Sequence, residues 1–188
     1  MYYPLFGVLQ IKKGGEILSK TNKMIYMAML IALEIVLTRF LSIQTPIVRI
    51  GFGYIPVAIA GALLGPLLAG TMAATADIIR MFLFPSGFPY FPGFTLSAFV
   101  GGAIYGVFFY KKQMSMLRAA IAVAVITIMV SLLMNTYWVH LTSGKAVLAV
   151  IGARLTTTAI MFPIQTILIY TVINLISRAN IIHDLNNV

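Results

Sequence analysis

Long apolar stretches alternate along the chain with short segments that carry most of the lysines, prolines and glycines. A helix rises about 1.5 Å per residue, so about 20 apolar residues cross the hydrocarbon layer of a membrane, which is about 30 Å thick. Pro163 is expected to bend the last helix that this pattern predicts. Four stretches predict one crossing each: residues 24–41, 94–110, 118 or 119–141, and 146–177.

The apolar stretch at residues 54–84 is about 31 residues long, too long for one comfortable crossing of about 20 residues and short for two. Gly65 and Pro66 break it near its centre. With a single crossing, the basic segment at Lys111 and Lys112 would lie opposite the lysine-rich N-terminal region, against the positive-inside rule. Two short helices that meet at Gly65–Pro66 place both basic segments in the cytoplasm, so two crossings are predicted.

The predicted fold is therefore an all-α integral membrane protein, a bundle of six transmembrane helices with both termini in the cytoplasm. Residues 1–23 are interpreted as a basic cytoplasmic leader, 24–178 as the membrane domain and 179–188 as a cytoplasmic tail. Of the 188 residues, 61% are hydrophobic and 9% are charged, and the mean hydropathy is +1.00. No soluble core could bury that much apolar surface.

The net charge of +9 does not change this assignment. The basic residues are scattered between apolar stretches and form no continuous basic face, so topology explains them better than nucleic-acid binding does. The chain contains no cysteine, which excludes disulfides and thiolate chemistry.

Residues 81–106, MFLFPSGFPYFPGFTLSAFVGGAIYG, concentrate prolines, glycines and aromatic rings between two apolar stretches. Pro85, Pro89 and Pro92 each remove a backbone N–H and restrict the residue before them, so a regular helix cannot run through the middle. Backbone left open at membrane depth must be buried in protein or line a cavity, and rings beside carbonyls suit a flat ligand with polar edges. The alternative is a stiff external hairpin with an interfacial belt of aromatic side chains.

Five cations fall in the outer half of the predicted bundle or in its outer loops, where the positive-inside bias disfavours them. Asp77 lies three residues before Arg80 and is expected to neutralise it. Arg49 and Arg154 have no evident acidic partner in the sequence, which makes them the candidates for binding an anion, whereas Lys145 is expected to reach the headgroups. The five cations are Arg39, Arg49, Arg80, Lys145 and Arg154.

The outer end of the fifth predicted helix carries Asn135 and Trp138, three residues apart and hence neighbours on the helix surface. An amide hydrogen-bonds the polar edge of a ligand and an aromatic ring stacks on its face, although Trp138 fits an interfacial belt equally well. With the rings of the preceding segment, they predict a site for an aromatic, anionic solute. These rings are Phe82, Phe84, Phe88, Tyr90, Phe91 and Phe94.

Catalytic patterns are weak in this chain. His140 and His183 have no partner at the spacing of a metal site or a catalytic triad, and Glu34 and Asp77 are single carboxylates on different predicted helices. The phosphate-binding pattern G-x-x-x-x-G-K-[ST] does not occur, so ATP hydrolysis would need partner subunits.

Pairs of small residues four positions apart occur on three predicted helices. Such pairs let helices approach closely in lipid, and each pair fits either the docking of a partner helix or packing within the bundle. The pairs are Ala28 and Ala32, Gly61 and Gly65, and Gly102 and Gly106.

Three segments together resemble a known family: LTRFLSIQTPIVRIGFGYIP, LFPSGFPYFPGFTLSAFVGGAIYG and NTYW. They are similar to the folate-specific substrate-binding subunits (S components) of the energy-coupling factor (ECF) transporters, a class of ABC transporter. The similarity covers residues 24–177. The proline- and phenylalanine-rich segment and NTYW are typical of the folate branch, whereas six short helices with Ala-x-x-x-Ala on the first are shared by the whole superfamily.

The resemblance implies a multi-pass protein of the bacterial cell membrane that captures a vitamin from outside. It would dock on one transmembrane coupling subunit and two ATPase subunits, so that ATP is used by the partners and this chain binds no cofactor or metal. By the same resemblance, Ala28 and Ala32 would contact the coupling subunit and residues 42–53 would act as a gate. The ligand is expected near the outer ends of the fourth to sixth helices.

The chemistry of folate agrees with the candidate residues. Phe84, Tyr90, Phe94 and Trp138 supply rings; Asn135 or Gln165 would hydrogen-bond the pterin, and Arg49 or Arg154 the carboxylates of the glutamate. Riboflavin, which is neutral and flat, is the alternative vitamin, whereas the cation thiamine would be disfavoured among outer arginines. From other classes, a membrane enzyme and a scaffold protein that binds no small molecule remain as alternatives.

Overall fold

The computed structural model describes residues 20–44, 49–84, 90–144 and 146–178. Within these residues the chain folds into helices and one short two-stranded hairpin. The leader up to residue 19 and the tail from residue 179, both named in the predicted domain organisation, lie outside the described residues. The helices are α1 Lys20–Phe40, α2 Tyr54–Leu64, α3 Pro66–Leu83, α4 Pro92–Phe109, α5 Met116–Ser143 and α6 Val147–Arg178, and the strands are β1 Ser42–Gln44 and β2 Arg49–Gly51.

The segment between α1 and α2, which the family resemblance predicts to act as a gate, contains the hairpin. Strands β1 and β2 are antiparallel, and Ser42 pairs with Gly51. A Cβ atom added to Gly53 would collide with the side-chain oxygen of Thr38 on α1. The end of the hairpin therefore packs closely against the last turns of α1.

The predicted break at Gly65–Pro66 is confirmed. Helix α2 ends at Leu64 and α3 begins at Pro66. Gly65 has φ +86°, a conformation that side chains disfavour, and Pro66 occupies the first helical position, where its missing N–H is not needed.

Small residues bring α2, α3 and α4 together. A Cβ atom on Gly61 would lie 2.8 Å from the backbone of Gly106, and one on Gly102 would lie 2.8 Å from the carbonyl carbon of Ala69. The glycine pairs of α2 and α4 thus serve packing inside the bundle, the second of the two roles that the sequence left open. Close backbone contact of this kind drives helix association where water supplies no hydrophobic effect.

Helices α5 and α6 form the other side of the bundle. The middle of α5, Thr127–Met134, is wound as a π helix between two α-helical parts, Met116–Ile126 and Asn135–Ser143. Helix α6 runs for 32 residues, and its winding continues through Pro163; a bend there stays a prediction.

Four helices in the described residues are long and apolar enough to cross a membrane: Pro66–Leu83, Pro92–Phe109, Met116–Ser143 and Val150–Arg178. Helix α2 is apolar but shorter, with 11 residues, about 16 Å of helix against a hydrocarbon layer of about 30 Å. The all-helical membrane architecture is thereby confirmed, apart from the small hairpin that the sequence did not predict.

Candidate functional site

A cavity of about 400 Å³ opens between the helices. Its wall includes the C-terminal half of α1, the end of β2, the start of α2, and residues from α3, α4, α5 and α6. It lies away from Lys111 and Lys112, which follow α4. Small-molecule sites commonly have volumes of about 300–1,000 Å³, so the cavity is large enough for a ligand of vitamin size.

Three buried polar atoms in the wall make no hydrogen bond within the described residues: the Tyr54 hydroxyl, Asn135 Oδ1 and Arg154 Nε. They come from α2, α5 and α6. A buried polar group without a partner costs about 1–3 kcal/mol, and more if it is charged. All three atoms belong to residues that line the cavity.

Arg154 is the cation among the described residues of the cavity wall. Its Nη1 donates a hydrogen bond to the backbone carbonyl of Ser131 on α5, at 2.8 Å. The contact joins α6 to α5 and holds the guanidinium at the cavity surface. Glu34 on α1 also lines the cavity and supplies an acidic side chain to the same space.

Of the residues predicted to bind substrate, the structure brings four to the cavity wall: Phe94 on α4, Asn135 on α5, and Arg154 and Gln165 on α6. They supply one ring, two amides and one guanidinium, and three helices contribute them. This is the combination that an aromatic, anionic solute requires.

Phe84, Tyr90 and Trp138 do not line the cavity. The Phe84 ring lies under the guanidinium of Arg39, with Cζ 5.0 Å from the ring centre. This contact ties the end of α3 to the end of α1. Cation–π contacts contribute about 0.5–1 kcal/mol at exposed sites, so the role visible for Phe84 is packing between helices.

Tyr90 belongs to a polar network that connects α3 to α4. Its hydroxyl lies 3.0 Å from Thr95 Oγ1, which donates to Asp77 Oδ2 at 3.0 Å. The other carboxylate oxygen of Asp77 pairs with Arg80, which confirms the predicted neutralisation of that arginine. Because Thr95 has one proton and gives it to Asp77, the Tyr90 hydroxyl is the donor to Thr95.

Trp138 packs behind the cavity wall. Its indole N–H donates to the hydroxyl of Ser97 at 3.0 Å, and its ring centre lies 5.4 Å from that of Phe91. Phe91 in turn meets Phe94 edge to face, with 6.2 Å between ring centres. Trp138 therefore supports the position of Phe94, a ring that does reach the cavity.

Arg49 is placed only by its backbone. It lies in β2 opposite Gln44, and its side chain falls outside what the structure describes, as does the whole of Lys145. Gly51 and Gly53, which follow Arg49, both line the cavity. The predicted gate segment thus borders the cavity through its second half.

Sequence reasoning missed several residues of the wall. The sequence does carry a signal for the part of the wall that α6 supplies. Residues on one helix face recur at spacings of three and four, as do Arg154, Thr158, Met161 and Gln165. Tyr54 gave no such signal. The missed polar and aromatic residues are Glu34, Thr38, Tyr54, Tyr105, Thr127, Ser131, Thr157, Thr158 and Phe162.

Among the residues that the structure describes, no group of three or more His, Cys, Asp or Glu side chains is placed to hold a metal ion. The site is therefore one of hydrogen bonds, rings and a guanidinium.

A sequence model described as "ECF transporter, substrate-specific component" matches residues 22–173. The chain belongs to this family. It is accordingly a substrate-recognising subunit of a membrane transporter and not an enzyme, which excludes the membrane enzyme among the alternatives.

Two curated relatives are similar over most of their length. The folate transporter FolT of Clostridium novyi (strain NT) is 57% identical over 166 residues, 88% of this chain and 96% of that protein. The FolT of Leuconostoc mesenteroides is 29% identical over 160 residues, 82% of this chain and 85% of that protein.

A crystal structure of FolT bound with folic acid is similar to this fold, with a TM-score of 0.75 and 41% sequence identity. The match covers 80% of this chain and 90% of the FolT chain. The resemblance found in the sequence is therefore confirmed at the level of family and fold.

The contacts of Trp138 predict that replacing this residue lowers the stability of the fold without removing a side chain from the cavity wall. Replacing Trp138 by Phe keeps an aromatic ring but removes the hydrogen bond to Ser97, so we expect the free energy of unfolding to fall by about 0.5–1.5 kcal/mol. Thermal unfolding in detergent measures this change. Tyr137→Phe is the matched control, because Tyr137 is exposed and neighbours Trp138; equal loss in both variants would contradict the assignment.

Proposed function

We propose that this chain is the folate-binding subunit of an ECF transporter in the bacterial cell membrane. It captures folate from outside and delivers it inward together with a transmembrane coupling subunit and two ATPase subunits. The observation that carries the proposal is the single cavity that combines the Arg154 guanidinium with the amides of Asn135 and Gln165. The FolT relatives support the identity of the vitamin.

Each part of folate has a chemical counterpart in the wall. The pterin presents donors and acceptors along one edge, which amides such as Asn135 and Gln165 can match. Its ring and the aminobenzoyl ring are flat and suit Phe94 and its aromatic neighbours. The glutamate carries two carboxylates, for which a guanidinium offers paired, charge-assisted hydrogen bonds. Arg154 is the described candidate for this role, and Arg49 is the second.

Phe84, Tyr90 and Trp138 stay predicted contributors to folate binding. Their contacts support an indirect contribution, since Trp138 holds Phe91 and Phe94, and Tyr90 and Phe84 fix the ends of α3 and α4.

The proposal includes six membrane crossings with both termini in the cytoplasm. The cavity then opens toward the outside, and the N-terminal half of α1 lies on the cytoplasmic side. Ala28 lies in that half and Ala32 just past the middle of α1, and both are exposed, unlike the buried glycines of α2 and α4. This exposure supports their proposed role as the surface that docks on the coupling subunit.

The binding proposal is tested on the purified chain alone. Because all the described parts of the cavity belong to one polypeptide, isothermal titration with folic acid should give one saturable site without ATP. Riboflavin should give no heat. The opposite result, heat with riboflavin and none with folic acid or 5-formyltetrahydrofolate, would assign the chain to the alternative vitamin; heat with neither would restore the scaffold alternative.

The role of Arg154 is tested with pteroic acid, which lacks the glutamate of folate. Arg154→Ala should weaken folate binding by about 1.5–3 kcal/mol, the range for hydrogen bonds to charged groups, and should weaken pteroate binding much less. Arg39→Ala is the control, because Arg39 is an outer arginine that contacts Phe84 and does not line the cavity. Equal losses for the two ligands would mean that the Arg154 side chain is structural; the same comparison with Arg49→Ala tests the second candidate.

The docking surface is tested by bulky substitutions. Ala28→Trp and Ala32→Trp should abolish folate uptake and pull-down of the coupling subunit, because the larger side chain holds a partner helix away. Folate titration of the purified variants should be unchanged, since the cavity lies at the other end of α1. Leu148→Trp is the control, at an exposed position on α6; tryptophan variants of Ala28 that still assemble and transport would place the docking surface elsewhere.

A further inference from the structure

The π-helical middle of α5 changes which backbone carbonyls are available. In a π helix each N–H reaches the carbonyl five residues back. The last such bond in Thr127–Met134 runs from the Asn135 N–H to the Val130 carbonyl. Where α winding resumes, each N–H donates to the carbonyl four residues back. The carbonyl of Ser131, which follows that of Val130, is therefore left without a backbone donor.

Side chains take the place of the missing backbone donor. Arg154 Nη1 donates to the Ser131 carbonyl at 2.8 Å, and Thr136 Oγ1 lies 3.4 Å from the same oxygen. Ser131 and Arg154 both line the cavity, and Arg154 Nε is buried there without a hydrogen bond in the described residues. The guanidinium is therefore anchored at one nitrogen, in a residue that lines the cavity.

We propose that the π stretch of α5 is a positioning device for substrate recognition: it presents the Ser131 carbonyl so that the Arg154 guanidinium is held ready for the carboxylate of the ligand. The guanidinium is planar and rigid, so fixing one of its nitrogens orients the others. The side chain also loses its rotamer freedom before the ligand arrives, which leaves less entropy to lose on binding. This inference rests on the proposed function, because it assigns Arg154 to the anionic end of folate.

The winding can be changed without changing the cavity wall. A π stretch holds one residue more than the α helix that would replace it, so deletion of Leu133, which is 60% exposed in the π stretch, should restore α winding and return the Ser131 carbonyl to a backbone donor. We expect the ratio of folate affinity to pteroate affinity to fall by about tenfold, the low end for a charge-assisted hydrogen bond. Leu133→Ala removes the same side chain but keeps the winding, and the ratio should stay within about twofold of the unmodified chain, the scatter expected for independent sites.

A double-mutant cycle separates positioning from general damage. Arg154→Lys keeps the charge but replaces the planar fork by a single ammonium. If the π stretch acts through Arg154, deletion of Leu133 in the Arg154→Lys background should leave the folate-to-pteroate ratio within about twofold. A tenfold fall in both backgrounds, or an equal loss of folate and pteroate affinity after the deletion, would overturn the inference.

The Lys variant also decides the matter should the deletion variant not fold. An anchored fork predicts that Arg154→Lys loses most of the discrimination, ending within about threefold of Arg154→Gln, a scatter typical of single side-chain effects. Full retention of the ratio by Arg154→Lys would show that charge alone suffices and would overturn the inference. If the unmodified chain binds folic acid while these ratios do not change, the proposed function stands and the positioning role fails; if it binds neither folic acid nor pteroic acid, both fail.

Discussion

The placement of one guanidinium in an apolar bundle is the constraint on which the site depends. A charged side chain at membrane depth is tolerated when it faces the interior or a cavity and finds polar partners there. Arg154 meets this requirement through the carbonyl of Ser131 and through the cavity itself. The contact needs α6 close to α5 and a carbonyl that the backbone of α5 does not use. The π winding provides the second condition, so a local irregularity in one helix makes a cation in another helix possible.

The two sides of the bundle differ in what they contribute. Helices α2, α3 and α4 approach one another at glycines, where there is no room for a Cβ atom. Helices α5 and α6 carry Asn135, Arg154 and Gln165 into the cavity. A rigid scaffold of small residues thus faces a wall that holds most of the recognition chemistry. The segment after α1 adds Gly51 and Gly53 to the wall, where a Cβ atom would collide with Ser42 or with Thr38 respectively.

Much of the fold could be predicted because hydropathy and helix-breaking residues determine it locally. The predicted fourth helix, 94–110, differs by two residues or fewer at each end from Pro92–Phe109. The break at Gly65–Pro66 was predicted from these two residues, from the length of the apolar stretch and from the distribution of the basic residues. The hairpin and the π stretch could not be predicted, because both depend on contacts with other elements. The sequence TIMVSLLM does not distinguish π winding from α winding. In the structure, the π winding occurs where the Ser131 carbonyl accepts a hydrogen bond from Arg154 on α6.

The site was predicted in part, and the reason lies in angles around a helix. Asn135 and Trp138 are three residues apart, which leaves them about 60° apart around the axis. That offset is enough for Asn135 to line the cavity while Trp138 turns toward Ser97 and Phe91. The aromatic segment shows the same division. Among the described rings that drew attention to it, Phe94 lines the cavity, while the others brace the ends of α3 and α4 around it.

The segment 81–106, which is rich in prolines and aromatic rings, contributes to the cavity wall only through α4, with Phe94, Ala98, Gly101, Gly102 and Tyr105. Helix α3 ends at Leu83 and α4 begins at Pro92, and helix ends carry backbone groups that must be held in place. The Asp77–Arg80 pair, Thr95 and Tyr90 hold them by hydrogen bonds, and the contacts of Phe84 and Trp138 hold them by packing. The residues of the cavity wall are scattered over seven elements: α1, β2, α2, α3, α4, α5 and α6. In a site built between helices, the residues that stabilise the surrounding helix ends form a conspicuous pattern in the sequence. The residues that line the cavity are identified only once the packing of the helices is known.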